Sequence, residues 1–188
     1  MSPQNKIGVD VFPYYVKLEV FRHVNAFTEL PLRETMLDGL VHIQEKYNVS
    51  IHAWIVVFSS VRLIMSCPSE AIQIEQVIDS LLNYTDKKLI RDVGEIKNGI
   101  QQKWMMQMFE SNPRSHRLMF WHSRYLLTPL TSEEEFSGRL ADLHENPVRT
   151  GIVWDAQHYM YSSAVDYMTD EPGLLPVVKL ERDEESLY

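Results

Sequence analysis

Inside the apolar run 51–65, IHAWIVVFSSVRLIM, two polar residues stand two apart, Ser60 and Arg62. Alternate residues of a strand project from the same face, so a hydroxyl and a guanidinium would share one surface. Neither suits a cation, because a serine hydroxyl is a weak neutral ligand and arginine stays protonated. Further along, Asp142 and Asn146 lie one helical turn apart just before Pro147. Lys87, Lys88 and Arg91 cluster in sequence, with Arg124 beyond them. Such cations neutralise phosphates in nucleic-acid complexes, or simply complement the dipole at a helix end. His52, His122 and His144 have no ligand spacing linking them, and a structural hydrogen bond suits His144 better. The pair Ser162-Ser163 beside Tyr161 lacks the glycines of a nucleophile elbow, which leaves packing and turn roles. Cys67, the single cysteine, follows an apolar run and reads as buried, with no internal disulfide possible.

The elements that must position these groups follow from periodicity. Phe12, Tyr14, Val16, Leu18 and Val20 alternate with Pro13, Tyr15, Lys17 and Glu19, the period of a half-buried strand. Pro31 sits where a helix can begin, and Met36, Leu37, Leu40, Val41 and Gln44 follow at helical spacing. The runs 51–58 and 61–65 are separated only by Ser59-Ser60, which demands a tight antiparallel connection. From Ser69 onward Ile74, Val77, Ile78, Leu81 and Leu82 predict a second helix to about Ile90, and 94–109 predicts a third. Residues 118–127 read as extended and aromatic. Ser132 with Glu135 forms a capping box, and Phe136, Leu140 and Leu143 mark the buried stripe of a helix that Pro147 should end. The order predicts an α+β fold, a ferredoxin-like or RRM-like antiparallel sheet covered by helices.

With 188 residues and 45% apolar content, the chain suffices for one domain, expected over 1–178, with an acidic tail at 179–188. No apolar stretch is long enough to span a membrane, and Met1 to Lys6 lacks a signal-peptide pattern, so a cytoplasmic location is expected. The net charge of −8 is uneven: residues 1–131 carry 14 Lys/Arg against 13 Asp/Glu, and 132–188 carry 4 against 13. An acidic last third counts against tight DNA binding but leaves room for a local basic groove.

The segment 140–167, LADLHENPVRTGIVWDAQHYMYSSAVDY, resembles the C-terminal signature of the HUH-class (His-hydrophobe-His) tyrosine transposases, in particular the REP-associated, single-strand-acting group. The strand at 14–20, the helix ending near Tyr47, the stretch Tyr84-Thr85 to Lys87-Lys88 and the pair Phe120-Trp121 fall in the same order, so the resemblance covers nearly the whole chain. It implies a transposase-like fold. The resemblance also implies that the tyrosine nucleophile falls at Asp142, the two metal-binding histidines at Ser60 and Arg62, and the third ligand at Asn146. A carboxylate in place of a phenol would give a labile acyl phosphate, so strand transfer is not expected, and with the histidines replaced no divalent metal is expected. Asn146 then reads as a helix-terminal cap. Tyr84 is a remote substitute for the nucleophile.

Arg62 and Asp142 have opposite charge. Either they form an ion pair in the vacated pocket, within one subunit or across a dimer, or both face solvent. Residual DNA binding would use Arg62, Lys87, Lys88, Arg91 and Arg124. Three functions compete: an inactive transposase-like protein, a homodimer by the resemblance, that still holds single-stranded or hairpin DNA as a regulator; a protein-interaction module that has abandoned DNA; and, as the remotest, an active enzyme with changed chemistry.

Overall fold

The structure, a computed structural model, describes residues 12–112 and 114–180. The chain begins with β1 (Tyr14–Glu19) and, after two short 3-10 turns, enters α1 (Leu30–Tyr47), with Pro31 in the first turn. Asn48 ends α1 in the left-handed conformation, φ 52°, which asparagine tolerates better than most side chains. Strands β2 (Ser50–Val57) and β3 (Ser60–Ser66) form a hairpin, and α2 (Ile74–Gly94) and α3 (Gly99–Phe109) follow. A short ribbon of β4 (Glu110–Asn112) and β5 (Arg117–Leu118) leads to β6 (Leu126–Pro129), α4 (Glu133–Arg149) and α5 (Ala164–Met168).

The main sheet has the order β2-β3-β1-β6, all antiparallel, which with α1 and α2 between its strands is the expected ferredoxin-like α+β arrangement. Alternation assigns the two faces. Val16 and Leu18 of β1, Trp54 and Val56 of β2, and Val61, Leu63 and Met65 of β3 pack against α1 and α2 in the larger core. Tyr15, Ala53, Ile55, Val57 and Ile64 face the other way, under Leu143 of α4 and Tyr159. Because β2 is covered on both faces, all but its first residue are buried and its alternation is lost. Its outer edge is also closed: Ser162 bridges Ile55, and the Val178 amide donates to the Ile51 carbonyl. Unpaired edge groups therefore do not invite another strand there.

Several boundaries differ from the periodicity. The hairpin turns at Phe58-Ser59, one residue earlier than expected, with Phe58 at φ 39°, so Ser60 lies within β3 opposite Glu19 and Val57. On α1 the buried face runs through Leu32, Met36, Leu40 and Ile43, while Val41 is exposed. Helix α2 starts later and runs further than 69–90, and α3 starts at Gly99, where the Asn98 side chain accepts the amides of Ile100 and Gln101. The segment 118–127 is mostly irregular, touching the sheet by the Val20 to Trp121 bridge. Ser132 caps α4 as expected, but Glu135 reaches back to Thr131.

Pro147 does not end α4. Its missing N–H costs one helical hydrogen bond, yet its carbonyl accepts from Ile152, and the Asn146 carbonyl accepts from Thr150, so the helix continues to Arg149. Gly151, at φ 71°, then turns the chain. No helix among the described residues is long and apolar enough to cross a membrane. Met1 to Lys6 and tail residues 181–188 lie outside the described residues; Lys179 sits over the Tyr167 ring.

Candidate functional site

Ser60 and Arg62 share a sheet face with Ile64, on the side that carries α4. In the antiparallel register Arg62 stands opposite Lys17 on β1 and Ile55 on β2, and Lys17 stands opposite Leu126 on β6. Residues directly opposite point to the same face, so Ile55, Arg62, Lys17 and Leu126 form one row across the sheet. Its β2 end lies under the α4 side of the molecule, and its β6 end is open, with Leu126 48% exposed. Lys17 reaches the Glu19 carboxylate at 2.7 Å, and that hydrogen bond holds the Glu19 carboxyl below its ordinary range.

Arg62 has no such partner. Its Nε is buried and unbonded, and its guanidinium makes no hydrogen bond, ion pair or ring contact among the described residues. Among the described residues, three other buried side-chain polar atoms are unbonded, on Arg33, Trp54 and Asp166. Arg33, however, donates to the Thr28 carbonyl and lies over the Tyr161 ring at 4.4 Å. An unsatisfied buried donor costs about 1–3 kcal/mol, more when charged.

On α4, Asp142, Asn146 and Arg149 follow at four and three residues, which puts them on one side of the helix. Arg149 takes the Asp142 carboxylate at 2.9 Å and donates to its backbone carbonyl at 2.9 Å as well. The ion pair considered between Arg62 and Asp142 is therefore not formed within the chain. Arg149 holds the carboxylate because the helix, by running past Pro147, brings residue 149 two turns beyond 142. Asn146 is buried, and what serves the helix end is its carbonyl, accepting the Thr150 amide at 3.0 Å and hydroxyl at 2.8 Å; no side-chain cap is formed by it.

What fixes α4 over β2 is His144 together with the segment that follows the helix. His144 Nε2 lies 2.8 Å from Ser163 Oγ, and that hydroxyl also accepts the Trp54 amide of β2 at 3.0 Å. Burial pushes the His144 imidazole down to about 4. Ser163 is fully buried, so the pair is a structural tie between helix and strand, in keeping with the packing role expected of Ser162-Ser163. Tyr159 donates to the Val56 carbonyl at 2.7 Å. His52 is buried between the Val178 carbonyl, at 2.7 Å, and Ser66, at 2.9 Å, and burial lowers its pKa.

Of the basic residues expected to hold DNA, Arg62 is set apart from those of α2. Helix α2 packs on the opposite face of the sheet from Arg62. There Lys88 is 2.9 Å from Asp38 and 3.7 Å over the Tyr84 ring, contacts that hold its ammonium above and the Asp38 carboxyl below their ordinary values. Tyr84 donates to the same carboxylate at 2.9 Å and stacks on His42, so it lies away from the Asp142 side. Arg91 pairs with its neighbour Asp92. Lys87 lines a cleft of about 570 Å³ with Asp86, Arg117, Trp121, His122 and Tyr125. The Arg124 amide donates to His122. Cys67 is buried, and burial raises its thiol.

Lys17 was not singled out by sequence, although the alternation of β1 put it among the residues facing away from the main core. Its position opposite Arg62 depends on strand register, which alternation alone does not give. A second feature without a sequence signal is Trp154, 94% exposed beside Val148 and Met168, with Glu145 and Asp155 in the same shallow depression. Among the described residues no three or more His, Cys, Asp or Glu side chains are grouped as metal ligands.

No protein-family model matches the sequence, and neither does any curated protein. Among solved structures, the chain is similar to a REP-associated tyrosine transposase bound to a REP hairpin, at 14% identity and a TM-score of 0.59, over 97% of this chain and 98% of that one. A candidate transposase from Deinococcus radiodurans R1 is aligned at 13% identity and a TM-score of 0.48, over 77% of this chain and 97% of that one. The likeness is one of fold: this chain has a transposase-like fold.

Proposed function

We propose that this chain is a nucleic-acid-binding protein built on the transposase-like fold, holding single-stranded or hairpin DNA without cutting it. The observation that carries the reading is Arg62, a guanidinium with no partner among the described residues, in a row of the sheet that opens at Leu126. The neighbour of like fold is bound to a REP hairpin. The acidic balance of the last third keeps binding local, because that part of the surface repels phosphates, and the few cations of the site set how strongly salt weakens it.

Strand transfer is excluded from the proposal on chemical grounds. A hydroxyl and a guanidinium make a poor seat for a divalent cation, and the Asp142 carboxylate already faces Arg149. Tyr84, the phenol considered as a substitute, donates its hydroxyl to Asp38 on the far side of the sheet.

Gel retardation of hairpin and single-stranded oligonucleotides at low salt, with and without chelator, tests the reading. Retardation unaffected by chelator and free of covalent adduct on denaturing gels is expected. Absence of any retarded species refutes binding, and a trapped adduct refutes inactivity.

A second reading, a protein-interaction module, is favoured by Trp154. An almost fully exposed indole beside Val148 and Met168, with Glu145 and Asp155 nearby, has the character of a protein contact. Homodimerisation belongs to the proposal as well. Sedimentation of the intact protein and of Trp154→Ala separates a dimer that uses this surface from one that does not.

A further inference from the structure

We infer that Lys17 and Arg62 form a direct binding site for a phosphate group, standing on the sheet where the fold's relatives are expected to place a metal. For the source of that phosphate the inference rests on the nucleic-acid reading above.

Like charges directly opposite one another on a sheet face repel, and Lys17 faces Arg62. One carboxylate, Glu19, is within reach of Lys17 at 2.7 Å, but in the register Glu19 lies opposite Ser60, so the guanidinium is left over. The Arg62 Nε is desolvated with no acceptor, which is unfavourable unless something supplies one. An oxyanion does so: the planar fork of arginine accommodates two oxygens of a phosphate, and the lysine ammonium acts as a second point charge. Ser60 lies on the same face two residues away, a buried hydroxyl in the adjoining row opposite Glu19.

Access comes from the β6 side, where Leu126 is half exposed and Lys17 retains 30% of its side-chain surface. On α4 the Asp142 charge is matched by Arg149 at 2.9 Å, so it does not cancel Arg62, and Lys17, which shares its charge with Glu19 at 2.7 Å, leaves the sheet face net positive by the arginine. The physical content is a reversal of sign: two protein cations would meet the phosphate themselves, in place of a cation held by histidines. Binding should then be indifferent to chelators and sensitive to salt.

The test measures fluorescence anisotropy of labelled hairpin and single-stranded oligonucleotides in EDTA with the intact protein and with Arg62→Gln, Lys17→Gln and Lys87→Gln. Inorganic phosphate serves as competitor against chloride of equal ionic strength. A loss of about tenfold or more with Arg62→Gln, a salt slope reduced by about one, and partial rescue by Arg62→Lys are expected. Arg62→Gln should also melt no lower than the original, since an unpartnered charge is removed; Lys17→Gln gives an independent arm. If binding falls with Lys87→Gln but not with Arg62→Gln or Lys17→Gln, the site is overturned and the nucleic-acid reading stands. If no oligonucleotide binds yet inorganic phosphate raises the melting temperature in an Arg62-dependent way, the site stands as one for free phosphate and the nucleic-acid reading falls. If neither ligand binds, both fall.

Discussion

Acid should destabilise this fold through His144 before its carboxylates are protonated. The imidazole is 3% exposed, with Nε2 against Ser163 Oγ at 2.8 Å and the Tyr167 ring 5.1 Å away. Burial lowers its pKa from 6.5 to about 4. Unfolded, it takes up a proton near pH 6.5; folded, it resists until about pH 4. The unfolded state therefore binds more protons across that window, and stability falls as pH drops from about 6.5 to about 4, with no effect above it. A displacement of about 2.5 units corresponds to roughly 3 kcal/mol in order of magnitude. His52, also lowered by burial, acts with the same sign, so the His144 share must be isolated by comparison. Urea unfolding followed by tryptophan fluorescence, at pH steps from 7 to 4, should be run on the protein and on His144→Asn. The variant loses stability at pH 7, but the gap between the two should shrink by roughly 3 kcal/mol on the way to pH 4. A gap that stays constant across the window refutes the assignment.

Other perturbations follow from single contacts. Asp142→Asn breaks an exposed pair with Arg149 and should alter stability by less than about 1 kcal/mol, while the removal of a negative charge strengthens oligonucleotide binding in the anisotropy assay. Thr85→Val removes the acceptor of the Trp121 indole N–H, a buried bond of 2.9 Å, and should cost about 1–3 kcal/mol in urea unfolding. Gly39→Ala would press a methyl group into Thr85 and Leu81 where α1 crosses α2, an overpacking expected to cost about 1–3 kcal/mol and to lower the melting temperature. Ser163→Ala removes the hydroxyl shared by Trp54 and His144 and should weaken the seating of α4, read as faster amide exchange in that helix with the main core protected.

Much of the frame was legible because it is periodic. The alternation of β1 and the apolar spacing of α2 are local signals, and they placed both elements with errors only at their ends. The two-residue hairpin was found but set one position late, since Phe58 takes a positive φ that an aromatic residue does not advertise. Short pieces held by tertiary contacts were not legible: the β4–β5 ribbon, α5 and the segment that closes the β2 edge have no period of their own. At the site, residue types and the face shared by Ser60 and Arg62 came from sequence. Partnerships did not, because register joins Lys17 to Arg62, and the passage of α4 through Pro147 joins Arg149 to Asp142.

That difference bears on how the charges of the proposed site are met. Arg62 and Asp142 each need a partner, and the fold treats the two differently. Asp142 lies on a helix, where a cation two turns away can reach it without altering the sheet, and Arg149 does so at the exposed surface. Arg62 lies on an inner strand whose neighbours are fixed by register: an isoleucine on one side and a lysine on the other. A merely tolerated arginine in that place would be expected to sit opposite an acid, since an opposite-charge cross-strand pair stabilises a sheet and a like-charge pair does not. The chain instead places Glu19 opposite Ser60, on the next pair of the same face, and leaves the guanidinium with no partner among the described residues, the arrangement that the proposed anion site requires. Lys17→Glu puts this to a direct test. If Arg62 were only structural, the new carboxylate would exchange the Lys17–Glu19 pair for a cross-strand pair with Arg62 and leave oligonucleotide binding unchanged. If Arg62 serves an anion, the same substitution abolishes oligonucleotide binding.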